Sequence, residues 1–234
     1  MIYLGIDDTD VVGTPGTNQL ARAIARRLGA AAQGAIICRH QLLVDPRVPF
    51  TSKNGSASIQ LPRPSREDVP GVIGEVRGAM RAYFIPGSDP GLCVAHAVSP
   101  EMVEFGRLCQ RELVTRAQAR AMASEAGVYL EGLGGSEQGV IGAIAAVGLI
   151  ASGEDGRVVQ LASWPYPDDF SGPRRASEIR ARGVEEIRCL ETGAPVPDGI
   201  VDVGRHLRPN VRDGRLVLFV ERTGESAWRA VKLP

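Results

Sequence analysis

The sequence has little of several features that mark particular classes of protein. Its four cysteines are scattered, and none has the Cys-x-x-Cys spacing of a zinc ribbon. No apolar run reaches the roughly 20 residues that span a membrane, and the first residues lack the basic segment of a secretory signal. Basic and acidic residues number 27 each, so the overall excess of positive charge that is typical of a nucleic-acid clamp is missing. We therefore expect a cytoplasmic protein with reduced, buried thiols.

The most informative stretch comes first in the chain. A short apolar segment, residues 1–6, is rich in strand-forming residues and ends in the acids Asp7, Asp8 and Asp10. A loop with Gly13 and Gly16 follows, and residues 17–28 then carry apolar side chains at helical spacing. The sequence thus predicts three carboxylates between the end of a strand and the start of a helix, where α/β proteins bind ligands.

Three carboxylates so close together repel one another unless a cation or hydrogen-bond donors compensate. Mg²⁺ prefers oxygen ligands and often binds together with phosphates, and a helix N-terminus favours anions. One interpretation is therefore a Mg²⁺–phosphate site. The alternative is a solvated acidic turn in which Thr17 is the N-cap of the helix.

The order of predicted elements in residues 1–98 is β-α-β-β-α-β. This is the ferredoxin-like arrangement, which predicts a four-stranded antiparallel sheet with two helices on one face. We predict an α+β protein in which residues 99–234 form a second α/β unit. We expect residues 176–210 to be irregular, and residues 216–220 and 228–233 to form a terminal hairpin. The alternative is that the first strands join a larger mixed sheet.

Two further segments could contact phosphate. A glycine-rich stretch with Gly134, Gly135 and Gly139 precedes a helix of small residues that starts at residue 140, and such a turn can present backbone N–H groups to an anion. It can equally be a flexible turn before a closely packed helix. Lys53, in the turn Lys53-Asn54-Gly55, could reach a phosphate, or it could be an ordinary exposed hairpin residue.

Taken together, these motifs resemble archaeal tRNA(isoleucine) agmatinylcytidine synthetase. Gly5-Ile6-Asp7-Asp8-Thr9-Asp10 is similar to the opening of that family. The loop Asp45-Pro46-Arg47-Val48-Pro49-Phe50, the Lys53-Asn54-Gly55 turn and the helix from Gly139 to Gly148 are similar to three later motifs, in the same order. The resemblance covers most of residues 1–150.

The resemblance implies that ATP and Mg²⁺ are used to phosphorylate a carbonyl oxygen, which an amine then attacks. It implies catalytic or metal-binding roles for Asp7, Asp8 and Asp10, and places Thr17 where the family has a phosphorylated threonine. The implied ATP contacts are Gly13, Gly16, Asn18, Lys53, Asn54, Gly55, Gly134, Gly135 and Gly139. Because the chain stops before the family's tRNA-holding modules and has no net charge, a small or nucleoside-like acceptor is favoured over tRNA.

Two other functions fit the same residues. The protein could bind a nucleotide in a regulatory role without catalysis, in which case Mg²⁺-dependent ATP turnover would be absent. It could also be an accessory protein of tRNA modification, which would require a segregated basic face and salt-dependent RNA binding.

Overall fold

The computed structural model describes residues 1–48, 53–168 and 170–233. The strands are β1 (Ile2–Asp7), β2 (Ile36–Gln41), β3 (Gly55–Leu61), β4 (Gly91–Ala95), β5 (Tyr129–Gly132), β6 (Arg157–Leu161), β7 (Pro173–Arg175), β8 (Glu186–Cys189), β9 (Ile200–Asp202), β10 (Asn210–Arg212), β11 (Arg215–Arg222) and β12 (Ala227–Ala230). The α-helices are α1 (Thr17–Leu28), α2 (Val69–Ala82), α3 (Pro100–Arg111), α4 (Arg116–Ala126), α5 (Val140–Ala151) and α6 (Ala176–Ala181). Two short 3-10 helices span Gly29–Ala32 and Arg66–Asp68.

The first four strands form the predicted ferredoxin-like sheet. Their spatial order is β4-β1-β3-β2, and every neighbouring pair is antiparallel. Helices α1 and α2 pack against each other and bury their apolar stripes on one face, where Leu20 and Ile24 of α1 and Val76 of α2 meet Ile6 and Ile59 of the sheet. The predicted α+β fold is thus confirmed. The alternative of a larger sheet also holds, because β5 pairs with β4 and β6 pairs with β2.

Helix α5 covers the opposite face of the same sheet. Nearly all of its residues are buried, so its sequence is apolar all round rather than amphipathic. Close approach depends on glycine: a Cβ at Gly5 of β1 would lie 1.9 Å from the carbonyl oxygen of Ala143 in α5. Helix α3 packs on the outside of α5 in the same way, because a Cβ at Gly148 would lie 2.1 Å from the carbonyl oxygen of Met102. The small residues of α5 therefore let it lie between the sheet and α3.

The last third of the chain extends the sheet. Its strand order continues from β6 through β10, β11, β12 and β9 to β7, while β8 pairs with β11 in parallel. The predicted terminal hairpin is confirmed as β11 and β12. The expectation that residues 176–210 are irregular is wrong, since α6, β8 and β9 lie there. These elements are three to six residues long, too short to show a clear periodicity. One sheet contains strands from both sides of residue 98. The proposed division of the chain into two units at that residue stays a prediction.

Two sequence-based expectations concern the chemistry of the chain as a whole. The four cysteines are free and buried, as expected. In the part of the chain that the structure describes, no helix has the length and apolarity that crossing a membrane requires.

Candidate functional site

The predicted site residues converge on a pocket at one edge of the sheet. At this edge β1 and β2 end and β3 and β4 begin, and the first turn of α5 lies against them, with Gly139 beside the backbone of Asp7 and Gly91. The pocket has a volume of about 640 Å³. Nine of the predicted residues line it: Asp7, Asp8, Asp10, Gly16, Thr17, Asn18, Lys53, Asn54 and Gly55. Residues separated by more than 40 positions along the chain thus share one cavity.

Asp7 lies deepest in this group. Its carboxylate fits against α5 only because Gly142 has no side chain, since a Cβ there would lie 1.8 Å from Oδ2 of Asp7. The pKa of Asp7 is raised to about 7, and burial is the main cause. The charges of Asp8 and Asp10 also act to raise this pKa, whereas a backbone hydrogen bond from Asp8 and the charge of Arg39 act to lower it. A bound cation would relieve this penalty, so the environment of Asp7 suits a metal–phosphate ligand.

Asp8 has a left-handed backbone, with φ of +51°, a conformation that non-glycine residues seldom adopt. Its carbonyl accepts a hydrogen bond of 3.1 Å from the backbone N–H of Asp89. Burial, followed by the charges of Asp89 and Asp10, raises the pKa of Asp8 to about 6. Asp89 also lines the pocket, so the described acids at this edge include one that lies far away in the sequence.

Asp10 holds the start of α1. Its Oδ1 accepts hydrogen bonds from the backbone N–H and from the hydroxyl of Thr17, at 3.2 and 3.0 Å. The Thr9 hydroxyl donates to Thr17 Oγ1 at 3.1 Å. The interpretation that Thr17 is the N-cap of α1 is therefore wrong, because Gly16 occupies the N-cap position. Gly16 has no side chain that could accept a hydrogen bond, and the carboxylate of Asp10 accepts the bond from the helix instead.

The cap gives a direct prediction. Asp10→Ala and Asp10→Asn both remove the charge, but only asparagine keeps an oxygen that can accept from Thr17. We expect Asp10→Asn to be more stable than Asp10→Ala by about 1 kcal/mol, the usual value of a capping side chain. Urea unfolding of both variants measures the difference, and equal midpoints would show that the contact contributes nothing.

The positive charges of the pocket come from three residues. Arg39 is only 9% exposed and packs over Gly55, where a Cβ would lie 2.6 Å from its Nη2. Arg47 is exposed and paired with Asp45 at 2.8 Å, while Lys53 is exposed at the pocket wall. Burial lowers the pKa of Arg39. A buried, constrained guanidinium suits the binding of a phosphate oxygen.

The Lys53-Asn54-Gly55 turn is partly structural. The side chain of Asn54 donates to the carbonyl of Leu43 at 2.7 Å, and its own carbonyl accepts from the backbone of Leu42 at 3.0 Å. The two contacts of Asn54 thus fix the chain just after β2. This strand ends at Gln41, although the apolar residues that follow predict a longer strand. Residues 49–52, including Pro49 and Phe50 of the proline-bounded loop, lie outside the described residues.

The glycines that the sequence offers as phosphate contacts after β5 lie outside the lining of the pocket. Gly134, Gly135 and Gly139 are absent from the lining, as is Gly13 in the first loop, whereas Gln138, Ile141 and Gly142 are present. A Cβ at Gly135 would lie 1.7 Å from Oδ1 of Asp89, and one at Gly139 would lie 2.4 Å from the Asp89 carbonyl oxygen. These glycines therefore allow tight packing around Asp89, which also accepts a 2.6 Å bond from the backbone of Ser136.

Several lining residues were missed from the sequence. They are Arg39, Asp89, Glu112, Gln138 and Gly142. Arg39 carried one usable signal, since a charged residue within an apolar strand has to be paired or functional. The others come from distant segments that only the three-dimensional fold brings to this edge.

The metal-binding capacity of the acids is limited. Across residues 1–48, 53–168 and 170–233, no three Asp, Glu, His or Cys side chains are grouped so that they could hold a metal ion alone. Mg²⁺ commonly takes one or two carboxylates together with substrate phosphates. The arrangement of Asp7 and Asp8 fits a cation that arrives with a phosphate ligand better than a dedicated metal site.

Comparison with known proteins gives matches in structure alone. No protein-family model and no curated protein sequence matches the chain. The structure is similar to that of the TiaS-tRNA(Ile2)-ATP complex, with a TM-score of 0.54 and 20% identity over 77% of this chain and 43% of that one. It is also similar to apo TiaS, a tRNAIle2 agmatidine synthetase (TM-score 0.53, 18% identity, 83% of this chain and 48% of that one), and to a tRNA fluorescent labeling enzyme (TM-score 0.53, 18% identity, 79% and 45%).

These matches confirm the resemblance at the level of fold. The chain has the fold of a TiaS-like core, and it spans less than half the length of the proteins that it matches.

Proposed function

We propose, starting from this shared fold, that the protein is an ATP- and Mg²⁺-dependent phosphoryl-transfer enzyme. It activates a carbonyl oxygen of a small or nucleoside-like acceptor, and an amine then displaces the phosphate. The observation that carries the proposal is the pocket itself. Asp7 and Asp8, with pKa values raised to about 7 and about 6, share it with the buried Arg39 and the N-terminus of α1.

The residues divide into roles by their chemistry. Asp7 and Asp8 are the proposed ligands of Mg²⁺, which neutralises phosphate charge in reactions of this class. Arg39 and Lys53 offset the remaining negative charge of the phosphates. The positive end of α1, beside Gly16, favours the negatively charged phosphate oxygens.

Thr17 is the proposed acceptor or orienting hydroxyl. Its Oγ1 donates to Asp10 at 3.0 Å, so Asp10 is placed to take the proton if this hydroxyl attacks a phosphoryl group. The same bond orients the hydroxyl if it only holds the substrate. Asp89 and Glu112 line the other side of the pocket and supply the negative charge that attracts an amine.

A small acceptor is supported by the way in which basic residues are used. The sequence has five arginines around which a basic face could form: Arg174, Arg175, Arg180, Arg182 and Arg205. Two of them, Arg180 and Arg182, are engaged within the protein. Arg180 donates to the carbonyl of Pro197 at 2.8 Å, and Arg182 pairs with Asp168 at 3.3 Å. Such contacts leave fewer guanidinium groups for a nucleic-acid backbone.

The test is a titration followed by an assay of turnover. We expect calorimetry to show that ATP binds only when Mg²⁺ is present, and ³¹P NMR to show phosphate release that depends on an acceptor and an amine. Mg²⁺-dependent binding without turnover would favour the regulatory function, and the absence of any Mg-ATP binding would remove the proposal. Submicromolar, salt-sensitive binding of tRNA would replace the small acceptor by RNA.

A further inference from the structure

A row of arginines crosses the α1 face of the sheet, starting from Arg39 beside the first pocket. Arg39 on β2 and Arg157 on β6 are direct cross-strand partners, and such partners carry their side chains on the same face. Burial is the main cause that lowers the pKa of Arg208 to about 10, and the charges of Arg22 and Arg157 lower it further. Like charges placed opposite one another destabilise a sheet, so this row costs free energy in the ligand-free protein.

Three of these arginines have only neutral partners. Arg22 donates to the carbonyl of Val159 at 3.0 Å, Arg157 to that of Leu233 at 3.2 Å, and Arg208 to that of Leu207 at 2.8 Å. Within the described ranges none of the three forms an ion pair. Asp168 is the acid whose charge acts on Arg208, and it is already paired with Arg182.

Buried polar atoms without partners lie in the same place. The Nε–H of Arg22 is buried and donates to no partner, and the amide nitrogen and oxygen of Asn210 are likewise unpaired although Asn210 is completely buried. Asn210, on β10, is the cross-strand partner of Arg157 on β6. The side chain of Asn210 therefore lies on the same face of the sheet as that of Arg157. A buried polar group without a partner is costly, and a polar ligand at this place would remove that cost.

A cavity begins beside Arg22. It has a volume of about 740 Å³ and lies between α1 and the segment that follows β6, with apolar walls that include Ile37 and Trp164. Tyr166 at its rim is 53% exposed, and the guanidinium carbons of Arg22 and Arg26 each lie 5.3 Å from the centre of its ring. Pockets of about 300–1,000 Å³ hold small molecules, and an aromatic ring with guanidinium groups suits a stacked base.

We propose that Arg22, Arg157 and Arg208, together with Asn210, bind the phosphate group of a small molecule whose aromatic part occupies the adjoining cavity. A nucleoside monophosphate is the simplest compound with both parts. Arg22 joins the phosphate-binding group to the cavity. It lines the cavity, it donates to the carbonyl of Val159 on β6, and its charge lowers the pKa of Arg208. Arg22, Arg157 and Arg208 are not among the residues of the first pocket, so the proposal is independent of the ATP chemistry.

The experiment is calorimetric titration of nucleoside 5′-monophosphates, with and without a saturating non-hydrolysable ATP analogue and Mg²⁺. We expect Arg208→Gln and Arg22→Gln each to weaken binding about tenfold or more, because each removes charge-assisted hydrogen bonds. Arg205→Gln removes the same charge from an exposed neighbouring residue and is the matched control, with unchanged affinity. Asp8→Asn should also leave this affinity unchanged, which separates the site from the first pocket.

Stability provides a second measurement. Ligand-free Arg208→Gln should melt no lower than the wild-type protein because repulsion is relieved, so weaker binding will not reflect unfolding. Equal affinities in the wild-type protein and both variants, or equal losses in Arg205→Gln, would overturn the site. Inorganic phosphate that binds as tightly as the monophosphates would overturn the role of the cavity, and Arg208-dependent binding of an RNA oligonucleotide alone would overturn the small-molecule assignment.

Discussion

Asp7→Asn is expected to weaken Mg-ATP binding about 100-fold, the order found when one partner of a buried charge pair is removed, while making the ligand-free protein more stable at pH 8. Both effects have one cause. The half-buried carboxylate, with its pKa raised to about 7, is poorly compensated until a cation reaches it. Asparagine keeps the shape that fits against Gly142 but carries no charge, so it removes the penalty together with the metal ligand.

The sign of the pH dependence follows from proton binding. The pKa of Asp7 is higher in the folded protein than the value of 3.8 in an unfolded chain, so between these values the folded state binds more protons. The contribution of Asp7 to stability therefore falls as the pH rises from about 4 to about 7. A shift of this size corresponds to about 4 kcal/mol, and partial exposure to the pocket reduces the expected gain in Asp7→Asn to about 2 kcal/mol at pH 8.

Urea unfolding at pH 5 and pH 8 and calorimetric titration of Mg-ATP measure the two effects. Glu67→Gln is the matched control, because it neutralises an exposed acid outside the pocket and should change neither quantity. A variant that binds Mg-ATP normally would exclude Asp7 from the site. A variant that is less stable than the wild-type protein at pH 8 would contradict the burial argument.

Gly5→Ala should be strongly destabilising although it adds only one methyl group. The added Cβ would lie 1.9 Å from the carbonyl oxygen of Ala143. That oxygen belongs to the backbone and cannot rotate away, so β1 and α5 have to separate. Overpacking of this kind costs about 3 kcal/mol. Movement of α5 also displaces Gly142 from Asp7, so we expect Mg-ATP binding to weaken in the same variant.

Gly74→Ala is the matched control for this substitution. Gly74 lies on the exposed side of α2, and a Cβ there meets nothing within 4 Å. The same chemical change should therefore stabilise the protein by about 0.5–1 kcal/mol, through helix propensity alone. Thermal and urea unfolding of the two variants should differ in sign, and a Gly5→Ala protein as stable as the wild type would show that the helix does not lie so close.

Local sequence was sufficient for the first half of the fold. Strand β1, the stripe of α1 and the alternation of β3 have the periods that distinguish helix from strand, and their order alone gives the antiparallel arrangement. It was insufficient for α6, β8 and β9, where each element is shorter than the period that would reveal it. The apolar residues also predict a strand over residues 35–44, whereas β2 ends at Gln41, because Leu42 and Leu43 line the pocket and do not continue the sheet.

The acids of the candidate site were predictable from the sequence. Three carboxylates directly after an apolar strand repel one another and are costly to bury, so their presence there needs a functional explanation. The glycines were harder to interpret. Gly134 and Gly135 have the composition of a phosphate loop, yet a Cβ at Gly134 would lie 2.5 Å from the ring of Phe84. Whether a glycine faces a ligand or a neighbouring chain segment depends on packing, and packing between distant segments is not written in local sequence.

The contact between Asp7 and Gly142 has a consequence for how the protein matures. The two residues are separated by 135 positions, and the pocket is complete only when α5 has packed on β1. Contacts of such high sequence separation form late and slowly in folding, and during synthesis the N-terminal segment leaves the ribosome first. The acidic loop of the nascent chain therefore stays open to solvent until α5, which ends at Ala151, has emerged. The complete pocket is then absent from the emerging N-terminal segment and arises only when α5 has packed on β1.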